Sequence, residues 1–466
     1  MIKSKKMKQN IKYLFAPGSI AVIGASHNPA KIGYAITRNF KEGGYWGKVY
    51  PINPNVQQIL GLKCYASVKD VKGSVDCAII CVPAKFVANV LRECAAKGVK
   101  AAIVISGGFS EVGNVEGEKE LMKIAEENNM ALIGPNCLGV LNPASKVDSL
   151  FLPIYKLERP RVGTIGFISQ SGAVGGCIID MAGRAGIGIS KFISYGNAAG
   201  IDEADLLEYL GSDRNTKVIV CYIEGVKEGR NFMKIAKEVA KRKPVIVLKA
   251  GVSKKGAEAA KSHTGSLAGD TQAYRAMFKQ CHLIEAQTLM RLFYFAKIFY
   301  QPLPKGKRVG IVTNGGGSGV LATDALEYSH LDLAQPSEET IKALKDKLPT
   351  YVNVRNPLDI IGDANSARYA LAVDAMMRDP NIDILVVIVL FQTVALDSTV
   401  VDVLIRASET YGKPLVVVST GGEYTEAQKR ILDSYNIPTY HSPNAAMDSI
   451  AKAVEYAEFQ RKRNLR

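Results

Sequence analysis

The segment AKSHTGSLAGD, residues 260–270, sets His263 among small and hydroxyl-bearing residues in a chain with only five histidines. An imidazole in such a loop offers a nitrogen nucleophile or a proton carrier near neutral pH. Ser262, Thr264, Gly265 and Ser266 leave room for a ligand to come close. A structural or surface histidine is the competing reading, because geometry and partners define a catalytic site. Three glycine-bearing turns point to a second kind of chemistry, the holding of anions. In IAVIGASHNPAKIGYAITRNF a strand closes at Ile23, Gly24 permits a tight turn, and Gly33 lies where the next helix begins. In VGTIGFISQSGAVGGCIIDMA, Ser169, Gln170, Ser171 and Gly172 lie between strand and helix. In VGIVTNGGGSGVLATDALE the same place is taken by Asn314, Gly315, Gly316 and Gly317, continuing to Gly319. Unpaired amides and the dipole at a helix start attract phosphate. Helix capping and plain turn closure would use the same residue types. None of the turns matches GxxxxGK[ST], so no P-loop site for ATP is expected. The first is not GxGxxG either, and the following strand, GKVYPINPN, reaches Asn53 where a dinucleotide fold would offer Asp or Glu. Both departures weigh against NAD.

The elements that must position these turns are legible as apolar runs of strand length. They are SIAVIGAS, CAIICVPA, AAIVISGG, VGTIGFIS, VIVCYIEG, PVIVLKAG, RVGIVTNGG, DILVVIVL and PLVVVSTGG, separated by amphipathic helical stretches. Continuous apolar strands alternating with helices predict α/β architecture with parallel sheets covered on both faces. Pro-bearing joints at FLPIYKLERPRVG and IFYQPLPKGKRVG divide the chain into three expected domains, 1–152, 153–303 and 304–466. The 47% hydrophobic and 22% charged composition permits large cores and argues against wholesale disorder. The net charge of +15 invites a nucleic-acid reading, but dense basic runs occur only in MIKSKKMK and QRKRNLR at the termini. With no zinc-finger spacing and no aromatic–basic RNA motif, no nucleic-acid partner is expected and the field suits small anionic ligands. The eight cysteines contain no CxxC pair and read as small apolar residues of a reducing cytosol. No apolar run reaches membrane-spanning length and no signal segment is visible, so a cytoplasmic protein without a membrane partner is expected.

Taken in order along essentially the whole chain, the motifs resemble the α subunit of the ADP-forming acyl-CoA synthetases (acetate–CoA ligases), relatives of succinyl-CoA synthetase. VIGAS, YPINPN, CVPA, SGGFSE and GPNCLGVLNP are followed by SQSGAVGG, YIEG and KSHTGSLAGD, then by TNGGGSGV and NPLDIIGDA. The resemblance implies an N-terminal Rossmann-like CoA-binding domain followed by two flavodoxin-like domains. It implies conversion of acyl-CoA, ADP and phosphate into carboxylic acid, ATP and CoA through acyl phosphate and a phosphohistidine. The phosphorylated residue would be His263, and Glu224 matches the carboxylate that orients it. Ser169, Gln170, Ser171 and Gly172, with Asn314, Gly315, Gly316 and Gly317, would hold the phosphoryl group at two helix starts facing that histidine. CoA would contact Gly24, Ser26, Lys31, Asn53, Pro54, Val82 and Pro83, with the thioester end near Gly134, Pro135 and Asn136. Asp359 in NPLDIIG reads equally well as a helix cap.

No metal site is expected on this chain. No stretch of it resembles the ATP-grasp half found in single-chain relatives, nor an appended acetyltransferase domain. ADP or ATP with Mg²⁺ is therefore expected on a separate ATP-grasp β subunit, in an α2β2 assembly. Two other readings compete: an NAD-dependent oxidoreductase built on the first domain, and a non-catalytic CoA sensor. Acyl preference has no signature in the sequence.

Overall fold

The computed structural model describes residues 4–253, 255–256 and 270–464. His263 and its neighbours Ser262 to Ser266 lie outside the described residues. The chain separates into two compact units, one of Met1–Arg184 with Gly188–Gln287 and one of Ala185–Ile187 with Thr288–Arg466. All nine apolar runs named above form strands.

The first unit holds two large sheets. One contains β1 (Ser19–Ile23), β2 (Lys48–Ile52), β5 (Cys77–Ile80), β6 (Ala101–Val104) and β7 (Ala131–Ile133), all parallel, in the order β2-β1-β5-β6-β7. The small hairpin of β3 (Gln58–Ile59) and β4 (Leu62–Lys63) stands apart from it. β1, β5, β6 and β7 are buried along their full lengths, as strands covered on both faces must be. The helix Ile32–Glu42 covers one face through buried Ile36 and Phe40. Each such side chain contributes about 1.5–3 kcal/mol on leaving water. Gly33 lets that helix approach: a Cβ there would stand 2.0 Å from the Gly24 carbonyl oxygen.

The second sheet comprises β8 (Gly139–Asn142), β9 (Val147–Asp148), β10 (Val162–Ser169), β11 (Ile189–Ser194), β12 (Val218–Ile223), β13 (Val245–Lys249) and β14 (Ile284–Glu285). Its order is β14-β13-β12-β10-β11-β8-β9. Five strands run parallel, but β8 pairs antiparallel with β11 and β9 antiparallel with β8. Residues 139–148, within the expected first domain, therefore extend the second sheet. Lys8, in the basic N-terminal run, is paired with Asp205 and Glu208 at 2.9 Å, so its charge is spent within the unit.

The second unit carries one sheet of β15 (Arg308–Thr313), β16 (Asp332–Leu333), β17 (Leu358–Asp359), β18 (Ile384–Ile388), β19 (Leu415–Val418) and β20 (Thr439–Tyr440). The order is β16-β15-β18-β19-β20, with β17 also on β15 and every pairing parallel. The helix Leu289–Ile298 belongs to this unit. Its Lys297 forms a buried ion pair with Asp433 at 2.9 Å and donates to the Thr439 carbonyl at 2.7 Å. Among the described residues no helix is long and apolar enough to cross a membrane.

Candidate active site

All three sheets use one device. In each large sheet one strand (β1, β10 or β15) is followed in the chain by a neighbour on one side (β2, β11 or β16) and later by a neighbour on the other (β5, β12 or β18), which leaves a crevice at its carboxyl end. In each crevice, the glycine-bearing turn is tied by a hydrogen bond to the loop following another strand.

At the first crevice the Gly24 amide donates to the Ile52 carbonyl at 3.1 Å. Asn53 donates through Nδ2 to the Ala25 carbonyl at 2.8 Å and accepts from the Asn55 amide at 2.9 Å. Gly24 has φ +90°, and a Cβ on it would meet the Cys81 carbonyl at 2.8 Å, so only glycine fits this turn. Ser26 Oγ accepts the Asn28 amide at 3.0 Å. The Val82 carbonyl accepts the Ser106 hydroxyl at 2.5 Å, and Pro83 begins the helix Ala84–Ala96. Lys31, Pro54 and Pro83 are exposed, while Gly24, Ser26, Asn53 and Val82 are half-buried, so all seven can be reached from solvent. Lys31 sits at the N-cap of Ile32–Glu42 with no side-chain cap bond. A cation is unfavourable at a helix start by itself, and a bound phosphate would reverse that sign.

At the second crevice Gln170 clasps two loops. Its Oε1 accepts the Glu224 amide at 2.7 Å and the Gly225 amide at 3.1 Å, and its own amide donates to the Tyr222 carbonyl at 3.0 Å. Ser169 Oγ donates to the Ser171 carbonyl at 2.7 Å, and Ser171 Oγ accepts the Val174 amide at 3.3 Å. The Ser169 proton is thus spent on the turn, whereas Ser171 caps the helix Gly172–Arg184 as an acceptor and its own proton is not used in that bond. Beside it lies the start of that helix, whose first amides lack intrahelical partners.

Glu224 follows β12, with 8% of its surface exposed. Its carbonyl accepts Lys249 Nζ at 2.7 Å. Lys249, the last residue of β13, lies 4.7 Å from the Tyr274 ring centroid, and the Tyr274 hydroxyl accepts the Val226 amide at 3.0 Å. Burial lowers the Lys249 pKa from the ordinary lysine value, and the Glu224 charge opposes that shift.

A cavity of about 1070 Å³ joins these groups within the first unit. Its wall includes Asn136, Gln170, Ser171, Gly172 and Glu224, five of the residues singled out from sequence. Gly134 and Pro135 are buried behind Asn136, which has φ +58° and whose Nδ2 donates to Asn197 at 3.3 Å. Apolar wall residues include Ile105, Val115, Leu138, Phe151 and Leu152. The wall also holds Ser110, Glu118, Asn197 and Lys227, which sequence reasoning did not single out. Glu118 lies in SGGFSEVGNVEGE and Lys227 three residues beyond Glu224, so proximity to quoted motifs was their available signal. Of the cysteines read as small apolar residues, Cys64, Cys77, Cys94, Cys137, Cys221 and Cys281 are buried and Cys81 half-buried, whereas Cys177 is exposed on the same wall.

Beneath this wall Glu203, 3% exposed, accepts the Lys227 amide through Oε1 at 3.0 Å. Burial, then the Asp202 charge, pushes its carboxyl up to about 7. A carboxyl raised in the folded state contributes stability that is fully present below its unfolded value. That contribution is lost as pH rises through the folded value. Glu203→Gln, which keeps the acceptor and removes the charge, should gain up to about 3 kcal/mol over wild type at pH 8 and nothing at pH 4. Urea unfolding at the two pH values checks this; an equal effect at both would contradict it.

The third crevice, in the second unit, differs from expectation in how its polar group is used. Asn314 is buried, accepts the Leu390 amide at 2.9 Å and donates to the Leu390 carbonyl at 3.3 Å. Its side chain ties β15 to the loop after β18. Gly315 is the N-cap, and Gly316 and Gly317 already belong to the helix Gly316–Tyr328. None of the three has a positive φ, so unusual backbone does not explain them, and steric room explains Gly315 and Gly316 but not Gly317. A Cβ on Gly315 would meet Leu390 at 2.5 Å, whereas one on Gly317 would meet nothing within 4 Å. Asp359 caps no helix: it accepts the Ile361 amide at 2.9 Å in its own turn, and Asn365 caps Ser366–Arg378. Among the described residues no group of carboxylates, histidines and cysteines could hold a metal ion.

Family models match three successive stretches: a CoA binding domain over residues 18–143, a succinyl-CoA ligase like flavodoxin domain over 162–299, and a ligase-CoA domain over 309–463. The chain is 44% identical over 462 residues to the acetate–CoA ligase [ADP-forming] II subunit alpha of Pyrococcus furiosus, covering 98% of each chain. It is 42% identical to the acetate–CoA ligase [ADP-forming] I of Archaeoglobus fulgidus, where 97% of this chain spans 64% of that protein. Its fold superposes with TM-score 0.90 on a dinucleotide forming acetyl-coenzyme A synthetase 1 of Candidatus Korarchaeum cryptofilum, solved in complex with phosphate and ADP. That match is 38% identical and covers 98% of this chain and 99% of the other. With identity at this level sustained from the CoA binding domain through the ligase-CoA domain, the chain belongs to the family of ADP-forming acetate–CoA ligases.

Proposed function

We propose that this chain is the α subunit of an ADP-forming acyl-CoA synthetase, an acid–thiol ligase that converts acyl-CoA, ADP and phosphate into carboxylic acid, ATP and CoA. The observation that carries the reading is the cavity shared by Asn136, the helix start at Gln170–Gly172, and Glu224. That these residues line one cavity supports assigning to it a thioester end, a phosphate and an orienting carboxylate.

CoA is assigned to the first crevice, at Gly24, Ser26, Lys31, Asn53, Pro54, Val82 and Pro83, with Lys31 facing its phosphates. Phosphate attacks the thioester carbonyl, the carbon–sulfur bond breaks, and acyl phosphate forms. His263 then takes the phosphoryl group, releasing the acid, and passes it to ADP. Gln170 holds the Glu224 loop in place through two backbone amides, while the start of the helix at Gly172 supplies partial positive charge for phosphoryl oxygens. ADP with Mg²⁺ is assigned to a separate ATP-grasp β subunit in a cytoplasmic α2β2 assembly. The P. furiosus relative's name as a subunit alpha supports a partner chain. The three-domain division at 1–152, 153–303 and 304–466 is kept as part of this proposal, since the three family models fall one in each.

The test is reconstitution with a candidate β chain. Acetyl-CoA, ADP and phosphate should yield ATP only when both chains are present, and calorimetry on this chain should register CoA and not NADH. ATP synthesis by the rigorously purified chain alone would contradict the division of labour. Tight NADH binding without CoA binding would restore the oxidoreductase.

A further inference from the structure

Lys227 is the only cation among the described residues lining the cavity, whose wall also carries Glu118, Asp180 and Glu224. A dianionic phosphate entering among carboxylates meets repulsion unless a full positive charge offsets it. The Lys227 backbone is fixed, its amide bonded to Glu203 at 3.0 Å. Its side chain is held loosely. It is 50% exposed, stands 3.7 Å from Glu118 Oε1, and donates to the Ala198 carbonyl at 3.0 Å.

Glu118 does not depend on that pairing. Its Oε2 accepts the Asn197 amide group at 3.0 Å, the Ser110 backbone amide at 3.3 Å and the Ser110 hydroxyl. Lys227 is therefore able to turn toward an anion without leaving a bare buried carboxylate. Lys249 is not equipped for this, because its ammonium is buried against the Glu224 carbonyl and the Tyr274 ring.

We infer that Lys227 is the phosphate-binding cation of the first chemical step, its ammonium leaving Glu118 to hold non-attacking oxygens of inorganic phosphate and then of acyl phosphate. In that step one oxygen of monohydrogen phosphate bonds to the thioester carbonyl carbon and the carbon–sulfur bond breaks. The phosphate proton ends on the sulfur of CoA. Lys227 neither gives nor takes a proton. The inference rests on the functional reading above.

The experiment measures acetyl-CoA cleavage by the complex with its β subunit, varying phosphate and acetyl-CoA separately, for wild type, Lys227→Ala and Lys227→Arg. Loss of one charge-assisted contact should raise the KM for phosphate in Lys227→Ala by about 10- to 100-fold. The KM for acetyl-CoA should stay near wild type, and Lys227→Arg should recover most of the phosphate affinity. An unchanged phosphate KM in Lys227→Ala, or equal rises for both substrates, would overturn the inference while leaving the functional reading intact. A wild-type complex without phosphate-dependent cleavage would remove the reading and this inference together.

Discussion

His263→Ala is expected to abolish ATP synthesis by the reconstituted complex, with a loss of roughly 10⁴- to 10⁶-fold. Incubation of wild type with acyl-CoA and labelled phosphate should leave an acid-labile, base-stable phosphoryl group on this residue. That stability belongs to a phosphorus–nitrogen bond and excludes phosphoserine at Ser262 or Ser266. The variant should carry no label, because the segment 260–270 contains no second imidazole. Acyl phosphate formation should survive in part, since phosphate itself is the nucleophile of that step. Hydroxylamine trapping separates the two steps. Near-normal ATP synthesis by His263→Ala, or label mapped to another residue by mass spectrometry, would refute the phosphohistidine assignment.

Glu224→Gln should cost about 10²- to 10⁴-fold in turnover, less than removal of the histidine. The amide keeps a hydrogen-bonding group but loses the charge that stabilises an imidazolium. The fold should survive the change, because the loop is held by main chain. The Glu224 amide donates to Gln170 and its carbonyl accepts from Lys249, and neither bond involves the carboxylate. The phosphoryl label on His263 should form slowly in this variant, with CoA affinity unchanged by calorimetry. Turnover equal to wild type would leave Glu224 as no more than a buried strand-end carboxylate.

Two local features of the sequence carried most of what it revealed. Runs such as SIAVI and CAII are apolar throughout, and only strands covered on both faces tolerate that, so the parallel α/β architecture was legible. Glycine carries its meaning alone where a close approach demands it: Gly24 and Gly33 fit where a Cβ would collide with main chain. The ordered motifs likewise identified the family, since short motifs and their order along the chain are read without any tertiary contact.

The site itself was decided by tertiary structure. Gln170 and Glu224 are 54 residues apart, and their clasp exists only because β10 and β12 are neighbours in the sheet, an order no periodicity encodes. The same holds for Asn314, whose side chain looked available for phosphate but is consumed by Leu390, 76 residues away. β8 and β9 joined the second sheet in antiparallel fashion because strand direction depends on which edge the chain reaches, not on its residues. Lys227 and Glu118 acquire a role from facing one cavity. Their residue types alone describe any solvated surface, and the cavity arises from the packing of segments more than one hundred residues apart in the chain.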